Sequence, residues 1–401
     1  ITAASGKSEL RFVVKVAPAD ASDSSAPHTD VFLVRPEGAR GVLMAYDMPG
    51  GQERFTLPAG MLAADGKHYF AAMPYQTGQK QTTVLKAFDA STGLGENSFV
   101  LNGQWTLSGV SPSGRWAALT RLPGESEKRA WTEANQWQTD IQIVEGETGK
   151  TTHTLSLDGN FEVETISADG NSLFLVQHLP AINPDHYLIR LYDLSAEQLQ
   201  ADPLRAKGAD EVMAGLAWDG VASPDGHWLL TLYLSTRRDV AFVHTLDLQN
   251  KYPVCIDLPS GSGDLNELKY YNLALSPGGQ TIYATNAVLG VVAEVDLNTR
   301  QVVRTVNFTP GSAVEPTDYS PQAPTSRSVV SKDGRSVYFT SGAGIWVYDA
   351  SRGQVNGPYS TNTQILGLGL SSDDQQLYVA SADGKTMTVN ASSINQVKAN
   401  Q

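Results

Sequence analysis

The chain has 401 residues, 41% of them hydrophobic, with 29 Lys and Arg against 42 Asp and Glu and a formal net charge of −13. This composition is globular, and the acidic balance repels a phosphate backbone over most of the surface, so nucleic-acid binding is disfavoured. The single cysteine, Cys255, excludes an intrachain disulfide and a Cys-rich metal site, and no apolar run is long enough to span a bilayer.

From the N-terminus, "ELRFVVKV" at 9 and "DVFLVRP" at 30 read as strands flanking the polar loop "APADASDSSAPHTD". "AYDMPGGQERFTL" at 45 reads as strand, turn, strand. "MLAADGKHYFAA" at 61 then opens a pattern that returns as "GVSPSGRWAALT" at 109, "TISADGNSLFLV" at 165 and "VASPDGHWLLTL" at 221. It returns again as "LSPGGQTIYATN" at 275, "VVSKDGRSVYFT" at 329 and "GLSSDDQQLYVA" at 369, seven copies in all. Each copy is two short period-2 runs around a tight turn, the signature of a β-hairpin. The turn residues Gly66, Gly114, Gly170, Gly226, Gly279, Gly334 and Asp374 are expected at positive φ, as the second central residue of the turn.

A second signature follows each hairpin: "VLKAFDASTG" at 84, "IQIVEGETGK" at 141, "LIRLYDLSAE" at 188 and "FVHTLDLQNK" at 242. "VAEVDLNTRQ" at 292, "IWVYDASRGQ" at 345 and "TMTVNASSIN" at 386 complete the set. Each is a strand running into an Asp- or Asn-rich reversal and then, as a rule, another apolar run. Aspartate at such a turn accepts backbone hydrogen bonds, so these acids read as turn formers rather than metal ligands. Four antiparallel strands in a unit of about 50 residues make a β-propeller blade. No sustained 3.6-residue stripe is present, so a helical solenoid is excluded.

The "SPDG…LYV" and "VYDxxTG" grammar resembles the YVTN-type, WD40-like propellers of bacteria, with a more distant similarity to lactonase-like propellers and to the propeller subunits of amine dehydrogenases. The resemblance covers about residues 57–398 and implies the fold more than an activity. The chain reads as one all-β propeller domain over 1–401, with seven regular repeats in 57–398 and a degenerate first blade or ring-closing segment in 1–56. Eight blades are preferred and seven are the alternative, in which "ELRFVVKV" closes the ring.

The short turns belong to one face of such a disc, and the connections from second to third strand and from blade to blade belong to the other. The latter are long and varied, including "RLPGESEKRAWTEANQWQ" at 121, "HLPAINPDHY" at 178, "PSGSGDLNELKYY" at 259 and 309–327. Binding residues concentrate on loops held by a rigid scaffold. Trp105, Trp131, Trp137, His178, His186, Tyr187, Arg237, Arg238, Tyr270, Tyr271, Tyr319 and Arg327 are therefore the candidate binding residues, since aromatics and arginine anchor interfaces. The stretch 127–137 reads as a short helix beside the axial channel. Glu315 and Asp318, with Arg327 and His178, are the groups available to a lactonase-like hydrolysis.

No GxSxG, HExxH, GxGxxG, P-loop or CxxCH is present, and the catalytic residues stay unassigned. No metal ligand set and no cofactor is expected. The reading is a monomeric, non-catalytic, extracytoplasmic scaffold that binds a protein or small ligand on its long-loop face; a start at Ile1 fits either a removed leader or anchor or a boundary within a longer chain. The alternatives are a hydrolase acting at the channel mouth and a subunit of a dehydrogenase complex.

Overall fold

The computed structural model describes residues 10–15, 29–34, 60–77, 80–89, 95–205, 213–235, 237–261, 263–311, 327–371, 373–381 and 386–396. Strands β1 (Leu10–Lys15) and β2 (Thr29–Val34) pair as a hairpin. Seven antiparallel sheets follow, each built from consecutive chain. Blade 1 holds β3 (Met61–Leu62), β4 (His68–Thr77), β5 (Lys80–Asp89) and β6 (Gly95–Asn102). Blade 2 holds β7 (Trp105–Val110), β8 (Trp116–Arg121), β9 (Gln138–Glu145) and β10 (Thr151–Asp158), with helix α1 (Glu125–Ala134) between β8 and β9. Blade 3 holds β11 (Asn160–Ile166), β12 (Ser172–Leu179), β13 (His186–Asp193) and β14 (Gln198–Leu199). Blade 4 holds β15 (Leu216–Ala222), β16 (Trp228–Ser235), β17 (Val240–Asp247) and β18 (Tyr252–Asp257), and α2 (Leu265–Leu268) leads out of it. Blade 5 holds β19 (Asn272–Leu275), β20 (Thr281–Asn286), β21 (Val291–Asp296) and β22 (Gln301–Asn307). Blade 6 holds β23 (Ser328–Val330), β24 (Ser336–Ser341), β25 (Gly344–Asp349) and β26 (Gln354–Ser360). Blade 7 holds β27 (Ile365–Leu370), β28 (Gln376–Ser381) and β29 (Thr386–Asn390), then α3 (Ala391–Gln396).

The chain is a β-propeller, and a count of seven blades fits it. The preferred count of eight is not met among the described residues. The leading hairpin pairs only with itself there, β2 lies against β28, and the segment 45–57 that was to complete an eighth unit lies outside the described residues. The seventh repeat also departs from pattern. Its "TMTVNASSIN" forms β29 and then α3 instead of a turn and fourth strand, because Ala391 and Ile394 bury into the core between blades 6 and 7.

The core lies between blades rather than within them. Strand alternation gives each sheet two apolar faces, as in β9, where Ile141 and Ile143 are buried against blade 3 and Val144, on the other side, against blade 1. Six clusters result, each joining two successive blades. Between blades 1 and 2, for example, Phe70 and Leu85 meet Trp105 and Leu119. Each such side chain contributes about 1.5–3 kcal/mol on leaving water.

The repeated turn is a hydrogen-bonded device. At Ser223 the hydroxyl donates to Asp225 Oδ1 at 2.6 Å and accepts from the Trp228 amide at 2.8 Å, while Asp225 Oδ1 accepts from the His227 amide at 3.0 Å. Ser331 with Asp333 and Ser371 with Asp373 repeat the arrangement. The Gly226 amide donates to the Ser223 carbonyl, so glycine is the fourth residue of the turn rather than its second central one. Its φ of 69° is the positive value that residue type permits, and Asp374 takes 58° in the seventh copy. Turns of different blades also touch. The Asp65 amide donates to the Pro112 carbonyl at 3.0 Å, the Lys332 amide to Asp374 Oδ2 at 2.7 Å, and a Cβ on Gly226 would lie 2.9 Å from Pro112.

Candidate functional site

The opposite end of the blades carries the varied connections, and they are unevenly spread. Blades 2 to 5 send out 122–137, 200–215, 258–271 and 308–327, whereas residues 342–343 suffice in blade 6. In the first of these, α1 stands on an ionic base. Arg121 donates to Asp140 Oδ2 at 2.6 Å and to both oxygens of Glu127 at 3.0 Å, and Glu127 also accepts from the Gly124 amide. The Arg121 hydrogen bonds hold the Glu127 carboxyl below its ordinary range. No side chain of α1 is buried, and the helix ends at Asn135 in the left-handed region. Trp131 and Trp137, both half-buried, pack with ring centroids 5.2 Å apart.

Blades 3 and 4 meet through charge. Asp185 accepts from His186 Nδ1 at 2.5 Å and from Arg237 Nη2 of the next blade at 2.8 Å. The His186 hydrogen bond, then the positive Arg237, hold the Asp185 carboxyl below its ordinary value. Arg238 makes a two-pronged pair with Asp257 at 3.0 Å and lies over the Phe242 ring. His178 Nε2 is 3.2 Å from Glu162 Oε2.

Beneath this rim is a polar group that sequence reasoning missed. Glu164 on β11 accepts from the Tyr233 hydroxyl at 3.2 Å. Tyr233 stacks on Tyr187 at 5.0 Å and on Phe242 at 5.4 Å, and His244 sits edge-on to both tyrosines. Burial, reinforced by Glu162, raises the Glu164 carboxyl to about 7, and burial lowers His244 to about 4. Cys255, paired directly with His244 across β17 and β18, holds Sγ 3.6 Å from Nδ1 of an imidazole that is neutral at pH 7. The available signal was the strand "NFEVETI", whose alternation sets Phe161 and Val163 on one face and Glu162 and Glu164 on the other.

The other candidates fall apart in space. Trp105 is 5% exposed, belongs to the core between blades 1 and 2, and donates its Nε1 to the Asn102 carbonyl. Tyr271 is in the core between blades 4 and 5 with its hydroxyl on the Pro259 carbonyl, and Tyr270 beside it is buried under Lys269. Tyr187 is also a core side chain. Arg327 leads into β23 through its carbonyl, which accepts from the Thr340 amide. Glu315, Asp318 and Tyr319 lie outside the described residues. Ring contacts join Trp131 with Trp137 and Tyr187 with Tyr233. The described residues contain no group of three His, Cys, Asp or Glu side chains placed to hold a metal ion, and no helix long and apolar enough to cross a membrane.

No family model and no curated protein matches the sequence. Solved structures do resemble it in shape. A structure described as the Dos1 propeller aligns with TM-score 0.56 at 10% identity, covering 96% of this chain and 90% of that one. At this identity the likeness concerns the fold. Hydrazine synthase of Kuenenia stuttgartiensis aligns at TM-score 0.45 and 13% identity over 86% of this chain and 99% of its own. A protein of unknown function from Desulfotomaculum acetoxidans aligns at 0.41 and 12%, over 77% and 89%.

Proposed function

We propose that this propeller is a YVTN-type, extracytoplasmic binding scaffold that engages a protein or small ligand through the long connections of blades 2 to 4. The observation that carries this reading is the Asp185–Arg237 contact. Exposed charged groups from two blades are held at 2.8 Å on the face whose loops vary, while the other face is spent on turn-to-turn contacts. Trp131 and Trp137 add half-exposed aromatic area on the same side, the residue type that dominates interface energetics. The repeat grammar supports the bacterial, exported setting.

A photo-crosslinking residue placed at 237 and, in a second variant, at 335 beside a turn tests the reading in extract of the source cells. A discrete adduct from 237, competed by unlabelled protein, is the expected result. Adducts from 335 alone would overturn it. A second reading, hydrolysis of the lactonase-like type, draws on Glu164, which accepts from the Tyr233 hydroxyl and whose carboxyl near 7 suits a general acid. Lactone turnover by the wild type, lost in Glu164→Gln, would favour that reading over the scaffold.

A further inference from the structure

Cys255 and His244 face each other across β17 and β18, and their side chains meet with Sγ 3.6 Å from Nδ1. The thiol is exposed on the outermost strand of blade 4, while the imidazole is 1% exposed. The rings of Tyr187 and Tyr233 stand edge-on to that imidazole, with centroids 6.4 and 5.9 Å away, and set its plane. Nε2 has no hydrogen-bond partner, so among the described residues the thiol is the polar group this buried ring addresses. A buried imidazole spent on one weak sulfur contact calls for an explanation.

Thiolate sulfur and imidazole nitrogen are the donors that soft and borderline metal ions select. With metal–sulfur and metal–nitrogen bonds of about 2.3 and 2.0–2.1 Å, the observed separation subtends an angle of about 110° at an ion between them. Two donors on one metal commonly span such an angle. The number of donors then decides which ion. Zinc takes three or four protein ligands, and the described residues bring no third His, Cys, Asp or Glu to this pair. Calcium and magnesium want oxygen donors. Monovalent copper prefers sulfur and is satisfied by two or three donors. With one thiolate and one neutral imidazole it forms a unit of zero net charge. That suits a pair lying half inside the core, where an uncompensated charge is costly. Binding replaces the thiol proton, which leaves to solvent, and the exposed side of Cys255 admits one external donor to complete a three-coordinate ion.

We propose that Cys255 and His244, at the outer edge of blade 4, bind one monovalent copper ion. This site is separate from the loop surface of the preceding reading and does not depend on it.

Anaerobic titration of the intact protein with tetrakis(acetonitrile)copper(I) tests the proposal, read by the ultraviolet thiolate-to-copper charge-transfer band. The chain has a single cysteine, so that band reports Cys255 alone. Saturation at one copper per chain is expected, and an equal concentration of zinc(II) should not displace it. Cys255→Ser should abolish the band. His244→Gln should weaken binding at least about tenfold, measured by the acetonitrile concentration that strips half the copper. If His244→Gln fails to fold, copper K-edge absorption of the wild type decides the matter, with sulfur and imidazole nitrogen expected around the metal. Absence of the band, displacement by zinc, unchanged affinity in His244→Gln, or a spectrum showing sulfur without imidazole overturns the proposal. The crosslinking result at 237 stands whichever way this titration falls.

Discussion

The two faces of the disc are made by one chain and held by different means. On the turn face, Ser223, Ser331 and Ser371 each tie the amide five residues on, and neighbouring turns meet through Asp65 with Pro112 and Lys332 with Asp374. On the loop face, exposed ion pairs such as Asp185–Arg237 bridge blades, and surface pairs are worth about 0–1 kcal/mol. Backbone groups left unpaired cost more than that, about 1–3 kcal/mol each. The repeated sequence therefore marks where the ring is held, and the unrepeated sequence marks where it is free to vary.

The sharpest break in this division would come from a loop-face candidate that is in fact core. Trp105→Ala should lower stability by about 3–5 kcal/mol in urea unfolding, since its indole is buried between blades 1 and 2. A loss below about 1 kcal/mol, the size of a surface effect, would return Trp105 to the binding surface.

Next in size are two turn glycines. Gly226→Val and Gly334→Val should each cost roughly 1–3 kcal/mol, since both have φ near +70°. Gly226 should be the worse of the two, because its new Cβ lies 2.9 Å from Pro112 Cβ whereas at Gly334 the nearest atom, Pro277 Cδ, is 3.6 Å away. Equal melting temperatures for the two would mean that turn-to-turn packing contributes nothing beyond backbone strain.

The pH dependence sharpens the comparison from the loop side. Between about 4.5 and 7 the folded chain keeps a Glu164 proton that the unfolded chain has lost, so this group makes stability fall as pH rises. His244 acts in the opposite sense. Below about 6.5 the unfolded chain gains a proton that the folded chain refuses until about 4, so stability falls as pH drops. The two slopes oppose each other between about 4.5 and 6.5 in the wild type. Glu164→Gln should remove the first, giving an advantage over wild type that grows with pH to on the order of 1–3 kcal/mol near pH 8. Parallel stability–pH curves for the two proteins would contradict an enclosed, cation-free Glu164.

Legibility in the sequence followed the range of the interaction. The turns were readable because Ser, Asp and Gly act within six residues, and the strands because alternation is local. The short helix expected at 127–137 appears as α1 over Glu125–Ala134, since Glu127 reaches back to the Gly124 amide. Asp185 and Arg237 are 52 residues apart, and only the ring places them together. The same holds for Glu164 and Tyr233, 69 apart, so an acid in an ordinary alternating strand gave no sign of its neutral surroundings. Trp105, Tyr270 and Tyr271 misled for a further reason. An aromatic beside a long loop looks the same in sequence whether it faces a partner or the next blade.

Urea unfolding of Ser223→Ala and Arg237→Ala, measured together, tests the division of labour most directly. Ser223→Ala removes the acceptor of the Trp228 amide and a donor to Asp225, and should lose about 1–2 kcal/mol. Arg237→Ala removes one exposed ion pair and should stay within about 0.5 kcal/mol of wild type. A loss at Arg237 equal to or larger than that at Ser223 would contradict the account, because the variable face would then be holding the ring.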